Sequence, residues 1–249
     1  MTLVGSERPR RRWHHASTTL DNFAVVTFPV DTERLRRRVP PQFEPSVLRF
    51  ADGTEGSLLS VVAFVERDFA FRFAPFVSIS GPLVDYRAYG TLGDEQGVYV
   101  FRTSLDHPMV ALPRLLWRMP WARERVQIDG WWDGADPTRV RVSTDGDRGL
   151  ELELTGTGSD VGALDGFADA DEAVDVLTHP LAGWYGPATD IRRYSVWHDV
   201  LDPQLAVVEH ASVPAFVDLD LLGPCPAVHS ALVVRTAAFD IHTPPRRVR

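Results

Sequence analysis

Short stretches rich in Val, Phe, Tyr, Trp and Thr recur from Thr18 to Ile241, and turn residues bound them. That pattern constrains the fold more than any other feature, because regularly spaced strand-type runs point to an antiparallel β architecture. The runs are Thr18 to Phe28, Ser57 to Glu66, Phe76 to Tyr89 and Gly97 to Ser104, then Arg125 to Trp132, Arg139 to Ser143 and Leu150 to Leu154. Ile191 to Trp197, Ala206 to Ala211 and Ala227 to Ile241 complete the series. Asp52-Gly53, Gly93-Asp94 and Asp145-Gly146 supply turn chemistry, and the last is the strongest hairpin signal.

Three helices interrupt the strands. Asp31 is a good N-cap for a helix to about Val39, where Pro40-Pro41 stops it. Pro108 to Arg118 carries Met109, Leu112 and Leu116 at helical spacing, with Pro113 as an internal flaw. Asp169 to Leu177 has acidic residues in its first turn, which suits the helix dipole. With no repeat and no evident linker, the expectation is a flexible Arg-rich tail over residues 1–12 and a single mainly β (α+β) domain over 13–249.

The 249 residues include no lysine: all 26 basic residues are arginine. High-GC coding produces such a bias, but whatever its origin it forbids a lysine imine, a P-loop lysine and a pyridoxal-phosphate anchor. Arginine cannot substitute, since its guanidinium stays protonated. A net charge of -8 argues against a nucleic-acid partner. Arginines nevertheless cluster at Arg8 with Arg10 to Arg12, at Arg34 with Arg36 to Arg38, and at Arg246, Arg247 and Arg249. Two clusters read as terminal tails and the third as a solvated helix face, with phosphate binding the less favoured alternative. The lone Cys225 excludes an intrachain disulfide and a multi-cysteine metal site. No apolar run is long enough to span a bilayer, and no apolar core follows the basic N-terminus as in a secretory signal. The reading is a cytoplasmic protein with no membrane partner.

Few motifs carry chemistry. Gly156-Thr157-Gly158 lacks dinucleotide-fingerprint spacing to Gly162 and reads as a loop. The eight histidines show no metal-binding spacing, so no metal is expected. In Tyr194-Ser195-Val196-Trp197-His198, an extended backbone puts Tyr194 and His198 on one face and Trp197 on the other. His198 is a candidate general acid or base, weighed against a half-buried structural histidine. His229, at the start of the last run, carries the same two readings. Asp85, Arg87 and Tyr89 share a face that is either solvated or lines a polar cavity, and Arg102 offers the same choice.

Taken together, several segments resemble the DUF2071 (YqjF-like) proteins of the acetoacetate decarboxylase-like superfamily. They are Val30-Asp31 through Leu35 to Val39-Pro40-Pro41-Gln42-Phe43-Glu44, Asp85-Tyr86-Arg87-Ala88-Tyr89 and Gly97-Val98-Tyr99-Val100-Phe101. Ser104-Leu105-Asp106, Tyr194-Ser195-Val196-Trp197-His198 and the ending Phe239 to Pro244-Pro245 extend the match. The resemblance implies a cone or barrel of mostly antiparallel strands with a few outer helices. It also sets Trp121 and Ala122 where decarboxylases carry two lysines, and Asp21 and Val62 near the family's active-site arginine and one glutamate.

The resulting expectation is a cofactor-free small-molecule enzyme of lyase, cyclase or dehydratase type, acting on a carbonyl-containing or polyketide-like metabolite of secondary metabolism. Its chemistry would be lysine-independent. His198 with Tyr194 would move a proton and Arg87 would stabilise an enolate or carboxylate. Tyr89, Arg102, Trp117, Trp121, Trp197 and His229 would bind substrate. The alternatives are a non-catalytic binding protein for an apolar small molecule, and an interaction protein assembling through its arginine clusters and the acidic 160–175 segment. A homo-oligomer is compatible with each.

Overall fold

The computed structural model describes residues 8–107, 111–134, 136–145 and 149–248. In chain order the elements are β1 (Ala16–Val30), α1 (Thr32–Arg36), β2 (Phe43–Pro45), β3 (Leu48–Arg49), β4 (Glu55–Phe71), β5 (Ser78–Leu92) and β6 (Glu95–Leu105). They continue with α2 (Ala111–Trp117), β7 (Trp121–Arg123), β8 (Val126–Asp133), β9 (Asp136–Thr144) and β10 (Glu151–Asp160). The last third holds α3 (Ala170–Thr178), β11 (Ala182–Tyr185), β12 (Arg192–Trp197), β13 (Gln204–Ser212), α4 (Pro214–Asp218) and β14 (Ser230–Arg247).

The neighbour order β1-β4-β5-β6-β11-β12-β14 closes on itself because β1 also pairs with β14, from Ala16↔Ile241 to Thr27↔Ser230. These seven strands form a barrel, and closure removes its open edges. All but β6–β11 pair antiparallel around the ring. At the Leu205↔Leu232 end of β14, the sheet continues into β13-β10-β9-β8. This flap folds back over the outside of the barrel, so β1, β4 and β5 bury residues on both faces. Val61, Ala63, Val84 and Tyr86 pack outward against flap residues such as Ile128, Val142 and Leu152. Leu58, Val62, Val98, Val100 and Leu232 pack inward. Each fully buried Val or Leu of this kind contributes roughly 1.5–3 kcal/mol, so the two cores together carry the fold.

The mainly β architecture expected from the strand-type runs is present, and each run became a strand. Asp31 caps α1 by accepting from the Arg34 N–H at 2.7 Å, but the helix stops at Arg36 rather than Val39. Asp169 caps α3 through the Glu172 N–H at 2.8 Å. Pro113 falls in the first turn of α2, where its missing N–H costs nothing; Pro108 and Met109 lie outside the described residues. Gly146 of the Asp145-Gly146 turn also lies outside them. Gly156-Thr157-Gly158 is not a loop: it belongs to β10, and Pro137 O would stand 1.6 Å from a Cβ at position 156, so only glycine fits that crossing. The β2, β3, β7, β11 and α4 elements were not anticipated. No helix among the described residues is long and apolar enough to cross a membrane.

Two bulges decide which side chains enter the barrel. Asn22, at φ 53°, shifts the phase of β1, so Thr18 and Leu20 point inward before it and Phe23 and Val25 after it. Its side chain is held by Trp132 Nε1 at 2.8 Å. In β6, Arg87 pairs with Val100 while Tyr86 pairs with Arg102, leaving Phe101 as an extra residue.

Candidate functional site

All seven barrel strands contribute to an interior cavity of about 240 Å³. Its wall is mainly apolar, built from Leu20, Phe23, Val62, Phe64, Val100, Phe239 and Ile241 among others. Trp117 at the end of α2 and Trp121 in β7 close one side. Among the described residues seven ionisable side chains break this surface: Glu66 from β4, Asp85 and Arg87 from β5, His107 just after β6, Tyr185 from β11, Tyr194 from β12, and His198 just beyond it.

β5 alternates so that Val84, Tyr86 and Ala88 face the flap while Asp85, Arg87 and Tyr89 face the barrel interior. Asp85 accepts a short hydrogen bond from Thr103 Oγ1. Burial raises its carboxyl above the usual range, although Thr103 and Arg87 pull the other way. Glu66 is pushed up to about 7, first by burial and then by the Asp85 charge, with Thr18 offsetting part of it. Two carboxyls in one apolar cavity resist simultaneous ionisation, so the pair holds a proton near neutral pH.

Arg87 is buried and forked. Its Nε donates to Ser60 Oγ at 3.1 Å and its Nη2 to the Leu177 carbonyl at 3.0 Å. Tyr89 OH donates to the same carbonyl at 3.2 Å, so Tyr89 braces the floor of the barrel and is absent from the cavity wall. That carbonyl belongs to the last turn of α3, whose negative dipole end suits a guanidinium.

His198 is 2% exposed and stacks on Phe239 with ring centroids 4.1 Å apart. Its Nδ1 lies 2.8 Å from the Asp199 carbonyl and 3.4 Å from His179 Nδ1. Donation to the carbonyl fixes the proton on Nδ1 and leaves Nε2 as the acceptor. Burial, then His179, lowers the imidazole to about 4, so it is neutral at physiological pH. The Tyr194 phenol is driven well above its ordinary range by burial and by Asp85, which makes it a hydrogen-bond donor rather than a phenolate. Tyr194 owes its place to Gly183 on the paired strand: a Cβ there would sit 2.3 Å from the phenol ring.

Besides Tyr89, three residues expected at a binding site lie elsewhere. The bulge at Phe101 turns Arg102 outward, where it pairs with Glu124, and brings Thr103 and Leu105 inward instead. Trp197 faces away from Tyr194 and His198, as strand alternation requires, and carries Arg8 over its ring at 4.6 Å. His229 lies just ahead of β14, held by Thr27 Oγ1, Ser230 Oγ and the Asp165 carbonyl at 3.1, 3.0 and 2.8 Å. Val62 lines the cavity, whereas Asp21 lies on the outer side of β1, paired with Arg67 at 2.9 Å. Motif reading gives no role to Glu66 or Asp85, although it sets Asp85 on one face with Arg87 and Tyr89. Their signal was present only as the inward phase of the Ser57 to Glu66 and Phe76 to Tyr89 runs. Among the described residues no three His, Cys, Asp or Glu side chains form a metal-binding group.

Solved structures share this architecture. An acetoacetate decarboxylase-like enzyme from Sphingomonas wittichii RW1 superposes with a TM-score of 0.60 at 14% identity, over 95% of this chain and 94% of the other. The enduracididine biosynthesis enzyme MppR, complexed with pyruvate, gives 0.62 at 13% identity over 97% and 93%. Acetoacetate decarboxylase from Legionella pneumophila gives 0.60 at 9% identity over 98% and 92%. At such identities the likeness establishes the fold alone. No curated protein matches the sequence. The profile of DUF2071, described as an uncharacterized conserved protein, matches residues 17–235, nearly the whole barrel and flap, and the chain is therefore a member of the DUF2071 family.

Proposed function

We propose that the protein is a small-molecule enzyme that moves protons on a carbonyl-containing or polyketide-like metabolite held inside the barrel. The observation that carries this reading is the Glu66–Asp85 pair beside Arg87 in a mainly apolar cavity. A carboxyl poised at about 7 has the pKa that proton transfer at neutral pH favours. In the proposed step the ionised member of the pair takes a proton from the carbon next to the carbonyl. The electron pair of that C–H bond moves to the carbonyl oxygen, and Arg87 with the neutral Tyr194 phenol stabilises the enolate. Return of the proton at another carbon gives isomerisation; attack of the enolate carbon on a second carbonyl of the substrate, whose oxygen takes the proton, gives cyclisation; and loss of a β-hydroxyl as water, protonated by the carboxyl, gives dehydration. His198, neutral and carrying its acceptor nitrogen, orients a substrate hydroxyl. Trp117 and Trp121 enclose the apolar skeleton.

Imine chemistry is closed to a chain without lysine. The superposed proteins support the substrate class only in what their names state: acetoacetate decarboxylases, and MppR in complex with pyruvate. At about 240 Å³ the cavity is smaller than most drug-sized sites, which suits a compact metabolite. The second reading is a binding protein without turnover, favoured by the predominance of apolar wall.

The experiment is incubation of wild type and Asp85→Asn with a panel of β-keto acids and short polyketide-like ketones in deuterated water. Deuterium entering the carbon next to the carbonyl, and falling at least about 100-fold in Asp85→Asn while ligand affinity persists, is the expected result. Binding by wild type with recovery of unlabelled, unaltered compound would establish the binding-protein reading instead.

A further inference from the structure

A second concavity lies outside the barrel, where residues 9–13 run across the outer face of β12 and β14. Its volume is about 650 Å³. The fold brings together here the arginine clusters from opposite ends of the sequence: Arg10, Arg11, Arg12 and Arg246 line the concavity, joined by Arg193. Among the described residues no carboxylate lines it, on a chain whose net charge is -8.

The arginines are not equally satisfied. Arg11 pairs with Asp240 at 2.6 Å, and Arg193 pairs with Glu95. Among the described residues, no ion pair engages Arg10, Arg12 or Arg246. Arg193 and Arg246 also sit directly opposite each other across β12 and β14, an arrangement that repels unless an anion intervenes. The next cross-strand pair, Arg192 and Arg247, shows the remedy, for Asp190 lies 3.3 Å from both. Among the described residues no side chain plays that part for Arg246. In the same wall His242 leaves Nε2 buried and without a partner, while its Nδ1 meets Ser195 Oγ at 3.4 Å.

We propose that this concavity binds the phosphoryl end of a small phosphorylated metabolite. Guanidinium forks match phosphate oxygens two at a time, and several forks around one hollow suit a polyanion better than a single carboxylate. The hollow is too large for a phosphate ion alone. Trp13 stands 72% exposed in its wall and offers a flat face to the body of the ligand.

Isothermal titration of the full chain with pyrophosphate and with ADP tests the site. Saturable one-to-one binding is expected, weakened at least about tenfold in Arg10→Ala/Arg246→Ala. Both arginines are exposed, so a melt matching wild type should accompany the loss. The NMR signals of the His242 ring in wild type should shift with pyrophosphate and stay put in sodium chloride of equal ionic strength. Tighter binding of ADP than of pyrophosphate, reversed by Trp13→Ala, supports a nucleotide-like body. Equal affinities support recognition of the phosphoryl group alone. Absence of saturation into the millimolar range, affinity unchanged in the double variant, or His242 shifts reproduced by sodium chloride would each overturn the proposal.

Discussion

Buried ionisable side chains set opposing pH dependences at single positions. Glu66 rises from 4.5 to about 7 on folding, so the native state holds a proton that the unfolded chain releases. Stability from this group is fully present below pH 4.5 and is lost as pH rises through 7, by up to about 3 kcal/mol. Asp85 is shifted in the same direction. His15 and His198 act in the other sense. Both fall from 6.5 to about 4, chiefly through burial, so each loses stability as pH drops from 6.5 toward 4. Below pH 6.5 the lowered imidazoles of His15, His198, His179 and His242 oppose the raised carboxyls of Glu66 and Asp85, and above it the carboxyls alone should act. Urea midpoints are therefore expected to peak near pH 6.5 and decline toward pH 8. Glu66→Gln should remove most of the alkaline decline, making the variant more stable than wild type at pH 8 and close to it at pH 5. A decline above pH 7 that survives the substitution would show that Glu66 is not the titrating group.

Among the elements, β12 and its neighbour β11 place the polar side chains most directly. Gly183 leaves room for the Tyr194 ring that lies across it, so backbone pairing and side-chain position are one interaction. Gly183→Ala should force Tyr194 toward the cavity, lower stability by about 1–3 kcal/mol through overpacking, and weaken ligand binding. Replacing Tyr194 with alanine in that background should recover most of the stability if the clash is its cause. The same elements show what a sequence can and cannot disclose. Alternation alone placed Tyr194 and His198 together, put Asp85, Arg87 and Tyr89 on one face, and located the strands from their apolar runs. It failed at Arg102, where Val98 and Val100 predict an inward side chain and the extra Phe101 reverses the phase. Bulges of this kind depend on the partner strand, which local pattern does not contain. Glu66 escaped notice for a related reason: nothing in the run from Ser57 tells which phase faces a cavity and which faces the flap. The short strands β2, β3 and β7 pair with stretches of longer strands that run past their other neighbours, and β11 is fixed between β6 and β12, so their own residues carry little signal.

At the scale of the molecule, closure of the barrel rests on β14, which pairs with β1 along one side and with β12 and β13 along the other. Asp240 lies in that strand, nearly inaccessible, opposite Ser17 on one side and Trp197 on the other. Its carboxylate is met by Arg8 Nη2 at 2.9 Å and Arg11 Nε at 2.6 Å. The N-terminal arginines therefore neutralise a charge buried in the closing strand, and Arg8 also covers Trp197. Because both guanidiniums are partly solvated, the worth of each pair is below that of a fully buried one. Arg8→Ala/Arg11→Ala should nonetheless cost about 1–3 kcal/mol, because it leaves the Asp240 carboxylate without a cation. Adding Asp240→Asn should restore most of that loss, since the amide carries no charge to compensate. Urea denaturation of the wild type, the double variant and the triple variant closes the cycle. A triple variant no more stable than the double would mean that residues 8–11 stabilise the barrel through Trp197 packing rather than through Asp240.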